Sequence, residues 1–302
     1  MSFLKNSKLE KANGGTYVFT VVCVLLALVV GQLITQFLAN NYLGFSLLSI
    51  PFWVNKNTAL ILLLAPFGLG LLTLFLCVKF IHKRSFLSVL TSRSKFDWSR
   101  FFFAFFIWMV VMLGFMVISY FTTKKILFQF HFSELIFLFL ISIFLLPIQI
   151  FAEEVLFRGL LFQGLGRVFK RGIVPVVLTS ILFGLMHAGN PEVIKLGGWI
   201  VLFYVSSGLF LQIVTHMDDG LELSAGYHAA NNFFAAFVLT NNWQAFTTDA
   251  LFVDNNVPDF GIENSITLII IQPLLVFLFS KRYNWGNWKN KFFSVSNENE
   301  LR

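Results

Sequence analysis

Charged residues are scarce in this chain of 302 residues, because Asp, Glu, Lys and Arg together make up only 12% of it. An ordinary soluble domain carries about 25%, so the composition excludes a soluble globular fold. Cysteine is also scarce. Cys23 and Cys77 both lie inside apolar segments, which favours neither a disulfide framework nor a metal site.

Several recognisable patterns are missing as well. The sequence shows no internal repeat, no low-complexity tract and no separate soluble domain, and it lacks an HExxH motif. The absence of repeat symmetry disfavours a secondary transporter. The first apolar run, residues 16–38, is longer than the core of a signal peptide and has no clear cleavage site. A cleaved targeting segment is therefore not expected.

Apolar residues dominate what is present, at 57% of the chain with a mean hydropathy of +0.77. Several apolar runs reach the roughly 20 residues that a helix needs to cross a bilayer. The sequence predicts an all-α fold, a polytopic transmembrane helical bundle in a single integral membrane domain covering residues 1–302. About eight spans are predicted, near residues 16–38, 58–81, 101–121, 134–164, 173–187, 196–215, 221–240 and 265–280.

The net charge of +7 would also suit a nucleic-acid-binding protein. Here, however, the Lys and Arg residues occupy short loops between apolar runs, so no nucleic acid is expected as a partner. With the N-terminus inside, 17 basic residues fall on the inner side and four on the outer side: Lys56, Lys124, Lys125 and Lys195. This bias follows the positive-inside rule. It predicts that both termini are cytoplasmic, with short tails at 1–15 and 281–302.

Ionisable groups inside a span are costly and usually mark a functional site. The first such cluster is Phe-Ala-Glu-Glu-Val-Leu-Phe-Arg-Gly, residues 151–159, in the fourth predicted span. Glu153 and Glu154 point about 100° apart around a helix, so they have different neighbours. Glu154 and Arg158 share a face, which favours an ion pair. Glu153 is then free for acid–base chemistry, although a packing network of all three residues is an alternative.

Two further clusters follow on separate spans. Phe183 and His187 are spaced i to i+4 in the fifth span, so the phenyl ring can fix the imidazole. His228 and Asn232 have the same spacing in the seventh span, where small residues allow neighbouring helices to approach closely. This second pair could donate hydrogen bonds to an oxyanion or simply tie two helices together.

One acid and two histidines on three helices are components of either a zinc site or a general-base site. Glu153, His187 and His228 would leave a coordination position for water if zinc were bound. The residues therefore leave metal binding open, and no other cofactor is implied.

Two polar segments on the inner side are interpreted as ordinary connections. His216, Asp218 and Asp219 fall in the short turn between the sixth and seventh spans, where a solvated loop is expected. The aromatic, amphipathic segment 83–100 either lies along the lipid headgroups or is a plain connector.

The order of the motifs resembles that of the CPBP family of intramembrane proteases, also described as CAAX-protease and bacteriocin-processing (Abi) proteins. Glu-Glu-x-x-x-Arg, Phe-x-x-x-His and His-x-x-x-Asn follow one another between residues 151 and 232. The motif-bearing core is expected at about 134–240. The first three spans carry no motif of that family.

This resemblance implies a role for each motif residue. Glu153 would activate a water with the assistance of His187, while His228 and Asn232 would hold the oxyanion. Glu154, Arg158 and Phe183 would support the site. The family is often labelled metalloprotease, but a glutamate-dependent mechanism without metal is favoured here, because asparagine is a poor zinc ligand. A carboxylate in apolar surroundings becomes more basic, which suits a general base.

The expected function is that of an intramembrane endopeptidase. Its substrate would be a membrane-associated protein or peptide, either of the prenylated CaaX type or bacteriocin-like. The alternative is a catalytically silent membrane binding or immunity protein with the same fold, and a transporter ranks last. The chain is expected to be a multi-pass protein of the bacterial cytoplasmic membrane, with the lipid bilayer as its surroundings.

Overall fold

A computed structural model describes residues 3–4, 14–47, 50, 53–169 and 171–294, and it is predominantly helical. Twelve α-helices are found in these ranges: α1 Gly14–Leu38, α2 Lys56–Leu76, α3 Trp98–Thr123, α4 Phe132–Glu154, α5 Phe162–Val168, α6 Ile173–Met186, α7 Pro191–Leu196, α8 Ile200–Asp218, α9 Glu222–Phe233, α10 Gly261–Ile266, α11 Gln272–Arg282 and α12 Trp288–Phe293.

Short π-helical segments extend or join several of these helices. They are Ala39–Leu43 after α1, Cys77–Ile81 after α2, Val155–Leu161 between α4 and α5, Phe234–Val238 after α9, and Thr267–Ile271 between α10 and α11. Three short strands form one small sheet: β1 Ile126–Phe128, β2 Leu239–Thr240 and β3 Phe252–Asp254. The central strand β3 pairs antiparallel with β1 and parallel with β2. The sheet joins the loops at the predicted outer side.

Six helices in the described part of the chain are long and apolar enough to cross a membrane: Gly14–Leu43, Lys56–Ile81, Trp98–Thr123, Phe132–Val168, Ile200–Asp218 and Gly261–Arg282. The predicted all-α polytopic bundle is confirmed. The other two predicted spans correspond to helices as well, but α6 has 14 residues, and α9 with the π-helical segment that continues it covers only residues 222–238. At 1.5 Å per residue they are shorter than the roughly 30 Å of hydrocarbon, so eight spans stays a prediction.

Helix α9 is enclosed by protein rather than by lipid. Of its residues, only Asn231 and Phe233 are not buried. Its contact with α3 is so close that a Cβ at Gly226 would lie 2.1 Å from the carbonyl oxygen of Phe101. The small residues of this helix therefore allow the close packing that the sequence predicts, and they explain how a helix of low hydrophobicity lies inside the bundle.

The predicted solvated turn between the sixth and seventh spans is wrong. Helix α8 continues to Asp218, and the side chains of His216 and Asp218 are buried. Asp218 Oδ2 lies 3.1 Å from Arg93 Nη2, and Asp218 Oδ1 also pairs with Arg100. Arg93 further contacts Glu222 at 3.0 Å. The turn is buried because the basic segment 83–100 folds back over it, which a local sequence pattern does not reveal.

The two segments predicted to be peripheral at the inner side also pack against the bundle. Within 83–100, Val89 and Thr91 are buried, and Thr91 forms a β-bridge with Gly220. In the predicted C-terminal tail, Phe292 of α12 is buried. The tail residues 1–2, 5–13 and 295–302 lie outside the described residues, so the predicted tails are only partly represented.

Candidate active site

The three motifs converge where α4, α6 and α9 meet. Glu153 and Glu154 end α4, His187 follows the last turn of α6, and His228 and Asn232 lie on α9. The long helix that starts with α4 does not stop at the glutamates. It continues through the π-helical segment Val155–Leu161 into α5, so Arg158 remains on the same helix as both carboxylates.

Glu154 is the centre of a fully buried ion-pair network. Its Oε1 accepts hydrogen bonds from Arg158 Nη1 at 3.1 Å and from His228 Nδ1 at 2.8 Å. The side chains of Glu154 and Arg158 are 0% and 1% exposed. The ion pair that the i to i+4 spacing predicts is therefore present. It also binds the imidazole of α9, a contact between helices that spacing alone does not predict.

Glu153 has different partners. Its Oε1 accepts a hydrogen bond from Gln149 Nε2, one turn earlier on α4. Its Oε2 lies 3.7 Å from His228 Nε2 and has no hydrogen-bond partner among the described residues. Gln149 Oε1 in turn accepts a hydrogen bond of 2.9 Å from Asn232 Nδ2. One oxygen of Glu153 is thus fixed, while the other faces the imidazole.

Phe183 packs at the centre of the cluster. The guanidinium carbon of Arg158 lies 3.8 Å from the centroid of its ring, a close cation–π contact. The ring centroid lies 4.5 Å from that of His187 and 6.3 Å from that of His228, which it meets edge-on. The predicted packing of Phe183 on His187 is present, and the same ring also contacts the residues of the other two motifs.

His187 is oriented by contacts outside the motifs. Its Nδ1 lies 2.8 Å from the carbonyl oxygen of Phe183, so that nitrogen donates its proton. The imidazole stacks on Tyr204 of α8 with ring centroids 4.4 Å apart and an angle of 20° between the planes. The Tyr204 hydroxyl donates to Glu192 Oε1, and Glu192 Oε2 accepts from the backbone N–H of Ala245 at 3.2 Å. No hydrogen bond joins His187 to Glu153 within the described chain.

The π-helical segment places the first motif against segment 83–100, which connects α2 to α3. It begins directly after Glu154, and π-helical turns are frequent at functional sites. A Cβ at Gly159 would lie 2.5 Å from the carbonyl oxygen of Val89. Glycine therefore allows residues 83–100 to pack directly onto the turn that carries Arg158.

The zinc alternative receives no support from the arrangement of donors. Within the described residues, no group of three or more His, Cys, Asp and Glu side chains is placed to hold a metal ion. Glu153 and His228 are neighbours, but the imidazole of His187 is stacked on Tyr204 and no hydrogen bond or ion pair joins it to either of them within the described residues. The residues do not fit a three-ligand zinc site, so no chemical step is assigned to a metal.

Sequence reasoning missed three residues that complete the cluster: Gln149, Tyr204 and Glu192. Gln149 carried a usable signal, because it is a polar residue within an apolar span and lies one turn before Glu153. Tyr204 and Glu192 carried no signal in the sequence. The contact of Tyr204 with His187 and that of Glu192 with Ala245 depend on how α7 and α8 fold back over α6.

Comparisons with known proteins support the resemblance seen in the motifs. A family model described as "Type II CAAX prenyl endopeptidase Rce1-like" matches residues 132–234, a range that contains all three motifs. The resemblance to the CPBP family is confirmed for that segment. The uncharacterized protein YyaK of Bacillus subtilis (strain 168) is 31% identical over 168 residues, or 55% of this chain and 56% of the relative. The chain thus spans slightly more than half of that relative's length. No solved structure matches this chain.

Proposed function

We propose that this protein is an intramembrane endopeptidase that hydrolyses a peptide bond of a membrane-associated substrate, with Glu153 activating the attacking water. The observation that carries the proposal is the environment of Glu153. One carboxylate oxygen is held by Gln149, and the other is buried without a hydrogen-bond partner in the described protein, 3.7 Å from His228 Nε2. A water that enters beside Oε2 and the imidazole would be in reach of both groups.

Glu153 would act as the general base. It removes a proton from the water as the oxygen attacks the scissile carbonyl carbon, and it then delivers that proton to the leaving amine. Its low exposure, 14% of the side chain, keeps bulk water from competing at this position.

His228 suits the stabilisation of the developing oxyanion. In a doubly protonated imidazole Nδ1–H is directed at Glu154, and Nε2, which lies 3.7 Å from Glu153 Oε2, would donate its proton to a substrate oxygen bound beside that carboxylate. In this role Glu154 and Arg158 hold the imidazole in place rather than react.

Asn232 supplies a second donor to the same oxyanion. Its Nδ2 carries two protons, of which one is donated to Gln149. The other would be available to the tetrahedral intermediate. His187, held by Phe183 and Tyr204, would assist by orienting the substrate or the water from the α6 side.

The substrate class is proposed from the family description and from the position of the site. The description names prenyl endopeptidases of the CAAX type, and the matched residues include every motif. A substrate with a lipid-modified cysteine near its C-terminus would reach a site between helices from the bilayer. A bacteriocin-like membrane peptide is the other substrate that the family resemblance includes.

A purified-protein assay tests the activity. The protein in lipid nanodiscs would be given an internally quenched peptide ending in a farnesylated CaaX sequence, and the same peptide without the farnesyl group. We expect cleavage by the wild type and by Glu134→Gln, a matched substitution at the opposite end of α4, and at least a 100-fold loss in Glu153→Gln. Cleavage of neither this peptide nor a membrane-bound bacteriocin-like one would favour the silent binding protein instead.

A further inference from the structure

One polar side chain, that of Gln149, connects the proposed base with the proposed oxyanion donor. Asn232 Nδ2 donates to Gln149 Oε1 at 2.9 Å, and Gln149 Nε2 donates to Glu153 Oε1. Gln149 is buried, with 6% of its surface exposed. A single amide therefore contacts both groups that the proposed mechanism needs, on two different helices.

The direction of these hydrogen bonds is fixed by chemistry at Glu153. An ionised carboxylate only accepts hydrogen bonds, so Gln149 must turn its NH₂ group towards it. The Gln149 carbonyl then faces α9 and can only accept, which requires Asn232 to present its NH₂ group rather than its oxygen. An amide is symmetric enough in shape to fit either way, so the charge of Glu153 determines which orientation is stable.

A second group of fixed polarity at the other end requires the same orientation. The indole N–H of Trp108 can only donate, and its Nε1 lies 3.4 Å from Asn231 Oδ1. Asn231 Nδ2 then lies 3.4 Å from Asn232 Oδ1, which leaves the Asn232 NH₂ for Gln149. These two outer contacts are long and weaker than the two inner ones. Trp108 is itself held by stacking on Tyr227 at 4.4 Å.

We infer that Gln149 is a positioning residue, which uses the charge of Glu153 to hold Asn232 with its NH₂ group towards the reaction site. The inference rests on the proposed function for the roles of Glu153 and Asn232. Gln149 itself touches no reacting atom. Gln149 makes the donor orientation of Asn232 depend on the ionised carboxylate of Glu153. The Asn232 NH₂ group is therefore oriented as a donor when Glu153 can accept a proton.

Side-chain NMR tests the orientation without any substrate. The chain has eight glutamines, so protein labelled with ¹⁵N at glutamine side chains gives a resolvable set of amide signals. The pair that disappears in Gln149→Met belongs to Gln149. We expect one of its protons to be strongly deshielded and protected from exchange, and to lose both properties in Glu153→Ala. An unchanged Gln149 signal in Glu153→Ala would overturn the inference.

Kinetics with the farnesylated quenched peptide supply the second measurement. We expect Gln149→Met to lower kcat on the order of 10-fold with little change in KM, because the donor is misplaced only in the transition state. Gln149→Glu, which keeps the shape but cannot donate when ionised, should lose at least as much. Gln212→Met is the control, since Gln212 is an equally buried glutamine that bonds Thr179 and lies outside this chain of amides.

The two measurements separate the inference from the function it rests on. If the wild type cleaves no peptide, the protease proposal fails, while the NMR result still decides whether Glu153 orients Gln149. If the wild type cleaves and Gln149→Met retains full kcat, the positioning role is wrong although the protease proposal stands. The signals of the other glutamines report whether each variant is folded.

Discussion

At the scale of single residues, the adjacent glutamates show how one helical turn produces two different environments. Glu154 accepts hydrogen bonds from Arg158 and His228 and is completely buried. Glu153 is bound through one oxygen only and keeps 14% of its side chain exposed. The two carboxylates differ in this way, and the proposed mechanism assigns the structural role to Glu154 and the water to the unpaired oxygen of Glu153. The difference follows from the angle of about 100° between successive residues.

A double-mutant cycle tests the structural role of the buried pair. Arg158→Met leaves Glu154 buried beside His228 without its guanidinium, which should lower the free energy of unfolding by about 3 kcal/mol. Adding Glu154→Gln removes the uncompensated charge and should recover part of that loss. Thermal unfolding in detergent of both single variants, Arg158→Met and Glu154→Gln, and of the double variant closes the cycle. If the double variant is no more stable than Arg158→Met, the two side chains do not interact as the structure indicates.

Tyr204 allows the stacking on His187 to be separated from the hydrogen bond to Glu192. Tyr204→Phe keeps the ring and removes the hydroxyl, so we expect a loss of about 1 kcal/mol in stability with kcat nearly retained. Tyr204→Leu removes the flat surface under the imidazole and should reduce kcat on the order of 10-fold. Equal kcat values for the two variants would exclude a role for the stacked ring in holding His187.

At the scale of elements, the π-helical segment Val155–Leu161 and helix α9 determine the geometry of the site. The π-helical segment carries Arg158, which lies against the ring of Phe183, and segment 83–100 packs on its Gly159. Helix α9 is buried along most of its length, so its two polar motif residues are held by protein contacts rather than by lipid. In both elements a glycine, Gly159 or Gly226, allows the backbone of a neighbouring segment to pack closely.

Gly159→Ala tests the close approach of the connector to the π-helical segment. The added Cβ would lie 2.5 Å from the Val89 carbonyl oxygen, so the connector must shift, at a cost of about 1–3 kcal/mol. Gly114→Ala in α3 is the control, because nothing lies within 4 Å of its Cβ position. There the change should stabilise by about 0.5–1 kcal/mol through helix propensity. Similar unfolding temperatures for the two variants would contradict the packing described.

At the scale of the whole molecule, the helix ends on the predicted inner side are joined by a polar network around the end of α8. Asp218 accepts from Arg93 and, at 3.0 Å, from Trp285 Nε1. Lys291 of α12 donates to the carbonyl oxygen of His216 at 3.0 Å and to Asp219 at 2.9 Å. A cation at a helix C-terminus satisfies carbonyls that have no partner within the helix. The connector, α8 and the C-terminal region are thereby held together.

Limited proteolysis tests that network. Asp218→Asn removes the charge that Arg93 and Arg100 share, so segment 83–100 and residues 283–294 should be cleaved faster by an added protease in nanodiscs. Asp259→Asn is the control, because Asp259 is exposed and, among the described residues, its side chain accepts a hydrogen bond only from the next backbone N–H. If both variants are digested at the wild-type rate, Asp218 does not hold these segments.

The sequence revealed the parts of this molecule whose signals are local. Long apolar runs located the membrane helices, because lipid demands about 20 apolar residues in a row. The i to i+4 rule predicted the Glu154–Arg158 pair and the Phe183–His187 contact, both of which are present. Contacts between segments that are distant in the sequence could not be predicted in this way. Gln149 and Tyr204 gain their roles from other helices, and the burial of Asp218 results from a connector that folds back.

If Glu153 activates the hydrolytic water, its loss must stop proteolysis, and a comparison of new protein termini by mass spectrometry in cells measures this directly. Cells would express the wild type, Glu153→Gln or Glu134→Gln at equal levels. We expect a set of termini in membrane-associated proteins that appears with the wild type and with Glu134→Gln and is absent with Glu153→Gln. Identical termini in all three, together with uncut peptides in the purified assay, would contradict it, and the buried polar cluster would then be a binding or packing site.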